Sequence, residues 1–546
     1  MRNGASKITQ SVKYVQLRRS FREICMTQRP RVFVREATGL VREFGSWDSF
    51  GFNFGGIVTV VALSTLFVSF NFLLGANILV SLLIILPILL AYYIADTQLG
   101  IAMPRSGSDY VYTSRILHPA LGLMASWMLV FLLILNPAIF SDLIITGYIP
   151  GLLNALGMSA QAAWFTDLTV RFVLDNIIIA ICIMFVIIPI RHYAKLQTIF
   201  IALALLGAIL VPAALLAIGH DGFVAAINAR SAVPYDDVIA RARELGFTPY
   251  FSWRDTVLAI TSLGFYLITN WPCTVGGELK NVRRSLPIGV VGAGMFAWVI
   301  FFITAALYYW VLGTDFASAI AFLAVNSPAD SPFGVNLLTS ILQYVYGLNW
   351  VTFLIAISLI AACFIVIAQS ILLSTRHVLA WAFDNVVPNK FASISDRFGT
   401  PVFTTLVLWI VSEIVLLVLL FQSTALGIWL NAAVGVPMGY APALFAAMLF
   451  SRRRKDLFET SPSITRYKIG GVYAITILGA ISGIGFLAFV AFAIAFPQIG
   501  YPATPSNIGF MILIYLFGLV VYYAGKYYRK NQGIDIELAF KQIPPE

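Results

Sequence analysis

The sequence predicts an all-α integral membrane protein with about twelve transmembrane helices. Of its 546 residues, 60% are hydrophobic and only 11% are charged, whereas a soluble protein of this length has about 25% charged residues. Many apolar stretches exceed the roughly 20 residues that an α-helix needs to cross a bilayer. Because these stretches are continuous and lack the alternation typical of barrel strands, we interpret them as helices.

Twelve windows have the length and hydropathy of a membrane span. Spans 1 to 12 are predicted at 50–74, 78–102, 119–147, 172–190, 196–219, 255–277, 287–313, 350–382, 401–421, 425–450, 470–496 and 508–525. We expect a cytoplasmic N-terminal segment (1–44), a ten-helix core (45–450), a basic cytoplasmic loop (451–469), spans 11 and 12 (470–528) and a cytoplasmic tail (529–546). In the longest predicted outer loop, residues 234–245 have helical spacing, and a second short helix is expected within 314–349.

The net charge of +10 is explained by membrane topology and does not indicate a nucleic-acid partner. With the N-terminus in the cytoplasm, 30 of the 35 Lys and Arg residues fall on the cytoplasmic side. The remaining five are Arg171, Arg230, Arg241, Arg243 and Arg254. This bias satisfies the positive-inside rule. We therefore expect a multi-pass protein of the cell membrane, in contact with lipid, with both termini in the cytoplasm.

Cysteine and histidine give no sign of a disulfide framework, a metal site or an enzyme. The four cysteines lie in the N-terminal segment or in spans and form no CxxC motif. The four histidines lie at predicted helix ends, so none supplies a base in mid-membrane. We expect no metal, no cofactor and no catalytic residues.

Spans 1 and 6 each contain residues that interrupt a membrane helix. Span 1 carries the pair Gly55-Gly56 within FNFGGIV (52–58), and span 6 carries Pro272, which removes a backbone donor, near its middle. Interrupted spans in corresponding positions of two halves indicate the binding site of a secondary transporter. We therefore predict that spans 1–5 and 6–10 form a five-plus-five inverted repeat, with spans 11 and 12 appended.

Unwinding at this glycine pair would expose peptide groups suited to an amino acid. Freed amides of Gly56, Ile57 and Val58 would favour a carboxylate. Carbonyl groups near Asn53 and Phe54 would suit an ammonium group. The alternative is that the glycines only let helices pack closely. Span 1 alone favours that alternative, and the paired break in span 6 favours the binding site.

Four stretches resemble the amino acid–polyamine–organocation (APC) superfamily of transporters. They are REFGSWDSFGFNFGG (42–56), MPRSGSDYVYTSRILHPALG (103–122), GGELKNVRRSLPIG (276–289) and STRHVLAWAFDNVVPNKFASISDRFGTPV (374–402). The resemblance implies a leucine-transporter-like fold in which residues 45–450 are the transport core. It also implies alternating access, with the substrate held between broken spans 1 and 6.

The resemblance further implies cytoplasmic loops that control an inner gate. The candidate gating residues are Arg105, Glu278, Lys280, Arg376 and Asp384. Ion pairs among them would differ between open and closed states, although topology and helix capping also explain each residue.

The sequence departs from the superfamily pattern at three places. Gly55-Gly56 stands where Gly-x-Gly is common. The position in span 1 whose amides would contact the carboxylate can therefore differ by one or two residues. In span 6, Tyr266 and Ile268 stand where an aromatic residue and a glycine are common, and Tyr266 is a candidate lid. Ala204 stands where some members have a coupling lysine, so that mechanism is not expected.

These arguments give a set of predicted substrate-binding residues: Asn53, Phe54, Gly55, Gly56, Ile57, Val58, Tyr266, Ile268, Thr269 and Asn270. Because Asn270 is uncharged and no acid is visible in either break, we expect a neutral substrate. Among the acids of the spans, Asp96 and Asp142 lie near helix ends, where they can face water, and Glu413 is expected to make a packing hydrogen bond.

The predicted function is secondary transport of neutral amino acids, by proton symport or by exchange, with a proton preferred to sodium as the coupling ion. A sodium-coupled transporter of the same fold, with Ser358 and Ser370 as sodium ligands, is one alternative. A polyamine or organic-cation transporter is another, and a membrane sensor of amino acids is a third.

Overall fold

The computed structural model describes residue 40 and residues 42–67, 71–231, 233–333, 337–347, 349–422, 432–496 and 505–541. Most of the predicted N-terminal segment and the first part of span 10 lie outside these described residues, as does Cys25. The described chain is almost entirely helical, which confirms the predicted all-α fold class.

The helices of the first half begin with two short segments where span 1 was predicted. In chain order they are α1 (Ser46–Ile57), α2 (Thr59–Thr65), α3 (Ile78–Ala102), α4 (Ser108–Ile116), α5 (Pro119–Leu143), α6 (Ile149–Ala155), α7 (Ser159–Ala162), α8 (Leu168–Ile187), α9 (Ile190–Arg230) and α10 (Tyr235–Glu244). A π-helical turn (Ile144–Tyr148) joins α5 to α6, and a 3₁₀ turn (Ala163–Thr166) follows α7.

The second half also begins with a divided span. Its helices are α11 (Trp253–Leu267), α12 (Trp271–Thr274), α13 (Val282–Leu286), α14 (Ala293–Leu312), α15 (Thr314–Asn326), α16 (Leu338–Tyr346), α17 (Trp350–Phe383), α18 (Val402–Phe421), α19 (Ala432–Arg453), α20 (Lys455–Thr460), α21 (Ala474–Ala495) and α22 (Pro505–Asn531). Shorter turns of helix lie at Gly276–Glu278, Pro287–Gly292, Pro328–Asp330, Asn389–Ala392 and Ile536–Lys541.

Ten helical stretches of the described chain are long and apolar enough to cross a membrane. They coincide with predicted spans 2–5 and 7–12, and the two broken spans complete the predicted twelve. Many large apolar side chains on these helices are exposed, among them Ile177, Ile410 and Leu513. An extensive exposed apolar surface marks contact with lipid, as expected for a multi-pass membrane protein.

The two broken spans lie five spans apart and at the centre of the helical packing. The α1 segment contacts α9, α12, α14 and α17, whereas α11 packs against α3, α19 and α21. Spans 11 and 12 lie outside this core, since α21 packs on α19 and α22 packs on α5. This arrangement confirms the predicted inverted-repeat fold class with two added helices.

Short helices cover the ends of the bundle. The predicted helix at 234–245 is present as α10, and the helix expected within 314–349 is present as α16, with α15 in addition. A two-stranded antiparallel hairpin, β1 (Lys468–Ile469) and β2 (Val472–Tyr473), pairs Ile469 with Val472 before α21. It is the only sheet within the described residues.

Candidate functional site

The break in span 1 lies at Val58, between α1 and α2. Val58 has φ 49° and ψ 45°, a left-handed conformation that is rare for a β-branched residue. The expectation of unwinding at Gly55-Gly56 is therefore wrong, since both glycines belong to α1. The amides of Gly56 and Ile57 remain in the helix, and the Val58 N–H donates to the Gly55 carbonyl at 2.9 Å. These amides are not free to form the predicted carboxylate site.

The glycine pair instead permits close packing against two other spans. A Cβ atom on Gly55 would lie 2.2 Å from the Gln369 Oε1 atom of α17. A Cβ atom on Gly56 would lie 2.7 Å from Trp271 Cδ2 and 3.0 Å from Thr269 Oγ1 in span 6. Both distances are far below ordinary contact, so the close-packing alternative accounts for this pair.

The break in span 6 comprises residues 268–270, between α11 and α12. It is tied to span 1, because Thr269 Oγ1 donates a hydrogen bond to Asn53 Oδ1 at 2.6 Å. Asn53 Nδ2 in turn donates to the Val290 carbonyl at 3.2 Å. The Leu267 carbonyl at the end of α11 accepts from the Tyr93 hydroxyl at 2.6 Å. The Thr269 hydroxyl and the carbonyl that ends α11 thus have buried partners, as a membrane interior requires.

A cavity of about 370 Å³ lies between the two breaks, a volume in the range of small-molecule sites. It is bounded by both broken spans and by α5, α17, α18 and α19, and its lining is mostly apolar. The cavity extends from the buried Thr274 and His377 to the exposed Thr146 near the end of α5. Its polar side chains, rather than helix amides, are available to orient a bound molecule.

The cavity brings together six of the ten predicted substrate-binding residues: Gly56, Ile57, Val58, Tyr266, Ile268 and Thr269. The other four lie behind its wall. Phe54 packs on Phe296, with ring centroids 6.1 Å apart, and Gly55 backs onto α17. Asn53 supports Thr269, and Asn270 faces away toward α3 and α4.

Several lining residues were not predicted from the sequence. Trp271 lines the cavity beside Thr269, although it is not among the predicted substrate-binding residues. Asn136 of α5 also lines it and donates to Ser370 Oγ at 2.8 Å. His377 lines the inner part, with Nδ1 3.1 Å from Ser126 Oγ. No sequence motif marks these residues. They lie on membrane helices, and only the packing of the helices determines which side of each helix faces the cavity.

The predicted acids of the spans have different surroundings. Asp142 lines the cavity and forms an ion pair with Arg171 at 2.7 Å, with side chains 16% and 25% exposed. Glu413 accepts a hydrogen bond from Trp409 Nε1 at 2.6 Å within its own helix α18, so this bond does not pack two helices together as expected. The expectation that Asp96 faces water is wrong, since Asp96 is fully buried.

A buried acidic pair lies on the far side of the span 6 break. Asn270 Nδ2 donates to Asp96 Oδ2 at 2.7 Å and to Asp109 Oδ2 at 3.0 Å. Asp96 belongs to α3, and Asp109, which was not predicted, belongs to the first turn of α4. The premise that no acid stands at either break was therefore wrong, although neither carboxyl lines the cavity.

Two buried ion pairs lie on the side that the charge bias assigns to the cytoplasm, which we call the inner side. The Arg376 guanidinium makes two hydrogen bonds to the Glu278 carboxylate, both of 2.8 Å. Arg115, which was not predicted, binds both oxygens of Asp384 at 2.7 and 2.6 Å. All four side chains are at most 1% exposed. These two charge pairs join different elements of the bundle, because Arg376 and Asp384 belong to α17 and its end, Glu278 to the turn after α12 and Arg115 to α4.

The other predicted gating residues lie nearer the surface. Lys280 and Arg191 both bind Glu43, with N–O distances of 3.4 and 2.7 Å. The Arg191 hydrogen bond lowers the pKa of Glu43, against some desolvation, and Lys280 lowers it further. Arg105 donates to the Pro104 carbonyl at 2.8 Å. Phe44 pairs with Leu279 through backbone hydrogen bonds, so the entry into α1 is joined to the loop after α12.

The chain matches the model of a protein family described as amino acid permease over residues 44–520. A GABA-specific permease of Saccharomyces cerevisiae is 25% identical over 242 residues, which are 43% of this chain and 38% of the relative. An uncharacterized amino-acid permease of Schizosaccharomyces pombe is 23% identical over 466 residues, 82% of this chain and 76% of the relative.

A vacuolar cationic amino acid transporter of Arabidopsis thaliana is 23% identical over 158 residues, 29% of this chain and 23% of the relative. The matches to the yeast GABA permease and to this plant transporter thus cover less than two thirds of those relatives' own length.

Proposed function

This chain belongs to the amino acid permease family, and on that premise we propose that it is a secondary transporter of neutral, zwitterionic amino acids. The observation that carries the proposal is the cavity between the two broken spans. Its volume of about 370 Å³ suits a small molecule. Its position between spans 1 and 6 is where interrupted helices of transporters hold their substrates.

Three polar side chains of the cavity are proposed to hold the charged ends of the substrate. Asn136, Thr269 and His377 come from α5, the span 6 break and α17, so they surround the cavity from three elements. Tyr266 and Trp271 line the same space and are proposed to cover the substrate. Asn53 acts behind the wall, where its hydrogen bond positions Thr269.

The charge of the lining favours a neutral substrate over a cationic one. Among the lining residues, Asp142 is the only acidic one, and Arg171 already neutralises it. A cationic substrate would therefore enter an apolar cavity without a free counter-charge, which is costly. Of the two curated relatives named for a substrate, one is named for GABA and one for cationic amino acids. This lining supports the first kind of substrate, which has no net charge.

We propose alternating access in which the inner ion pairs form the inner gate. The Arg376–Glu278 pair links α17 to the loop after α12, and the Arg115–Asp384 pair links α4 to the end of α17. Parting of these elements would break both pairs together and open the cavity inward. A multi-pass location in the cell membrane, cytoplasmic termini and the division into a core (45–450) and two added helices belong to the same proposal.

The test is transport by the purified protein in proteoliposomes. Uptake of radiolabelled neutral amino acids, cationic amino acids and polyamines is measured separately, with and without proton and sodium gradients. We expect saturable uptake of neutral amino acids that excess unlabelled substrate abolishes. Saturable uptake of only the cationic compounds would contradict the proposed specificity.

A membrane sensor is the rival function of a different class. A sensor would bind amino acids without moving them. Equilibrium binding of the same radiolabelled compounds to the detergent-solubilised protein, without uptake or exchange in proteoliposomes, would favour the sensor and would exclude the proposed transporter.

A further inference from the structure

The acidic pair behind the span 6 break has the geometry of a proton site. Asp96 is fully buried, Asp109 is 1% exposed, and both bind the same nitrogen of Asn270. The two carboxyl groups are thus less than about 6 Å apart, a distance at which two negative charges strongly disfavour each other in a buried site. Neither forms an ion pair with any residue that the structure describes. A proton on one carboxyl removes this repulsion.

Asn270 supplies an independent sign that a ligand is bound here. It is the residue that precedes α12, a position where an Asn side chain commonly caps the helix. Its side chain makes no such cap and is directed to the two acids instead. Within the part of the chain that the structure describes, the Oδ1 atoms of Asn270 and Asp96 are both buried without a hydrogen-bond partner. One proton carried by a carboxyl supplies the donor that these acceptors lack.

A chain of hydroxyl groups connects the pair to the cavity. Thr274 lines the cavity, and its Oγ1 atom lies 3.0 Å from Ser108 Oγ. Ser108 Oγ donates to Asp109 Oδ2 at 2.8 Å. A proton delivered by water to Thr274 Oγ1 can thus reach Asp109 in two transfers, because each hydroxyl accepts one proton and passes on its own. The hydroxyl groups are unchanged at the end.

The other groups around the pair favour the neutral state. The titratable side chains that face it are Tyr92 of α3, Tyr112 of α4, Cys273 of α12 and Tyr440 of α19. All of these are neutral in their ordinary protonated forms, and each is fully buried or nearly so. They offer no positive charge to compensate a second carboxylate.

We propose that Asp96 and Asp109 together bind one proton and that this site couples proton flow to substrate transport through Asn270 and the span 6 break. The inference rests on the proposed transport function and extends it by naming the coupling ion and its site. In the conformation described, the proton is held while the inner side is shut. When α12 moves and the inner side opens, water reaches the two carboxyl groups and the proton leaves. The charged pair then no longer stabilises the conformation of the span 6 break in which the inner side is closed.

The test compares proton-driven accumulation with exchange in proteoliposomes that contain the purified full-length protein. Radiolabelled neutral amino acids are supplied outside, with or without an inward proton gradient. In Asp96→Asn and in Asp109→Asn, we expect the gradient-driven accumulation to fall to the level without a gradient, whereas exchange of internal for external substrate continues. A neutral amide cannot release a proton, so the coupling is lost while the conformational cycle remains.

Two further acids in the spans provide controls. Glu413→Gln changes a carboxyl that, among the described residues, bonds only to Trp409 of its own helix, so accumulation should match the wild type. Asp175 of α8 is buried, and neither of its oxygens has a hydrogen-bond partner in the described ranges, so it is the rival site. Loss of proton drive in Asp175→Asn, with the Asp96 and Asp109 variants unaffected, would overturn the inference.

The hydroxyl chain is tested at Thr274. Thr274→Val keeps the shape of the side chain and removes the hydroxyl, so proton-driven uptake should slow by more than exchange measured in the same vesicles. Thr274→Ser keeps the hydroxyl and should retain the wild-type rate. Equal rates in the two variants would exclude the chain as the proton route.

The outcomes separate this inference from the proposed function. If the wild type exchanges amino acids but a proton gradient does not increase their accumulation, the inference is overturned and the transport function is left intact. If the wild type moves no amino acid at all, the transport function fails. Infrared difference spectra between the purified wild type and each variant then still decide the inference, because a band from the carbonyl stretch of a protonated carboxyl must be lost in Asp96→Asn and in Asp109→Asn but not in Asp175→Asn.

Discussion

At the scale of single residues, small changes decide whether the cavity exists. Gly56 lies in α1 with no room for a side chain, because Trp271 and Thr269 occupy the space next to it. Both of these neighbours line the cavity. A side chain added at Gly56 would therefore change the proposed site indirectly, because it would shift Trp271.

The Gly56→Leu variant should lose uptake while remaining folded. The new side chain would displace Trp271 into the cavity, since a Cβ atom alone would lie 2.7 Å from its ring. Such overpacking costs about 1–3 kcal/mol, which a protein of this size withstands. The measurements are amino acid uptake and the melting temperature in detergent.

The matched control is Gly509→Leu, in another membrane helix. No atom of the described residues lies within 4 Å of a Cβ on that glycine, so both uptake and melting should equal those of the wild type. Wild-type affinity and flux in Gly56→Leu would remove the cavity from the proposed mechanism.

At the scale of helices, some contacts between elements are buried ion pairs, whereas most are apolar packing. The inner ends of α4, α12 and α17 are held by two buried ion pairs, at the loop after α12 and at the end of α17. A buried pair contributes little net stability, but removal of one partner leaves an uncompensated charge at a cost of about 3–5 kcal/mol. The inner ends are thus suited to separate as a unit, with both partners becoming hydrated together.

The Arg376→Ala variant should favour the conformation that is open on the inner side. Glu278 is 1% exposed and would be left buried without its partner, so opening to water becomes favourable. Cys273 lies in α12 and is fully buried. We expect its alkylation by a maleimide, followed by mass spectrometry, to accelerate by about 100-fold, the change that corresponds to roughly 3 kcal/mol.

The control for this experiment is Arg241→Ala, which removes an ion pair to Glu244 that is already exposed to solvent. Exposed pairs contribute little, so the reactivity of Cys273 should not change. Equal rates of Cys273 alkylation in the two variants would show that the buried pair does not hold the inner side closed.

At the scale of the whole molecule, the twelve spans and the charge bias determine which surfaces face each side. Ten continuous helices and two broken spans would give an even number of crossings, so we expect the two ends of the chain on the same side of the membrane. The five basic residues of the predicted outer segments are spread over α8, α9, α10 and α11. The orientation thus follows from the distribution of charge, not from any single residue.

Epitope tags should therefore report a single orientation. A tag at either end of the chain should bind antibody only after cells are permeabilised, and a tag inserted after Gly246 should bind in intact cells. Gly246, which has φ 87° and no neighbour near its Cβ position, lies in the loop between α10 and α11, where an insertion is tolerated. Antibody binding to a terminal tag in intact cells would contradict the predicted topology.

Much of the architecture could be predicted from the sequence because it depends on local properties. Hydropathy over windows of about 20 residues locates spans, since each must satisfy its own backbone in lipid. Pro272 and the polar residues beside it correctly indicated the break in span 6. The break in span 1 was predicted in the right span, but at the glycines instead of at Val58. Glycines occur both where helices pack closely and where a helix unwinds, so the sequence does not distinguish the two cases.

What the sequence by itself determined is thus the membrane class, the number and order of the spans, the two interrupted spans and the family. Only the tertiary structure decided which side chains share the cavity and which lie behind it. Asp96 and Asn270 are 174 residues apart and Arg115 and Asp384 are 269 apart, yet each pair is in hydrogen-bond contact. Such contacts depend on which helix faces pack against each other. Hydropathy alone cannot specify those faces, because the same apolar residues are found facing lipid and facing the protein interior.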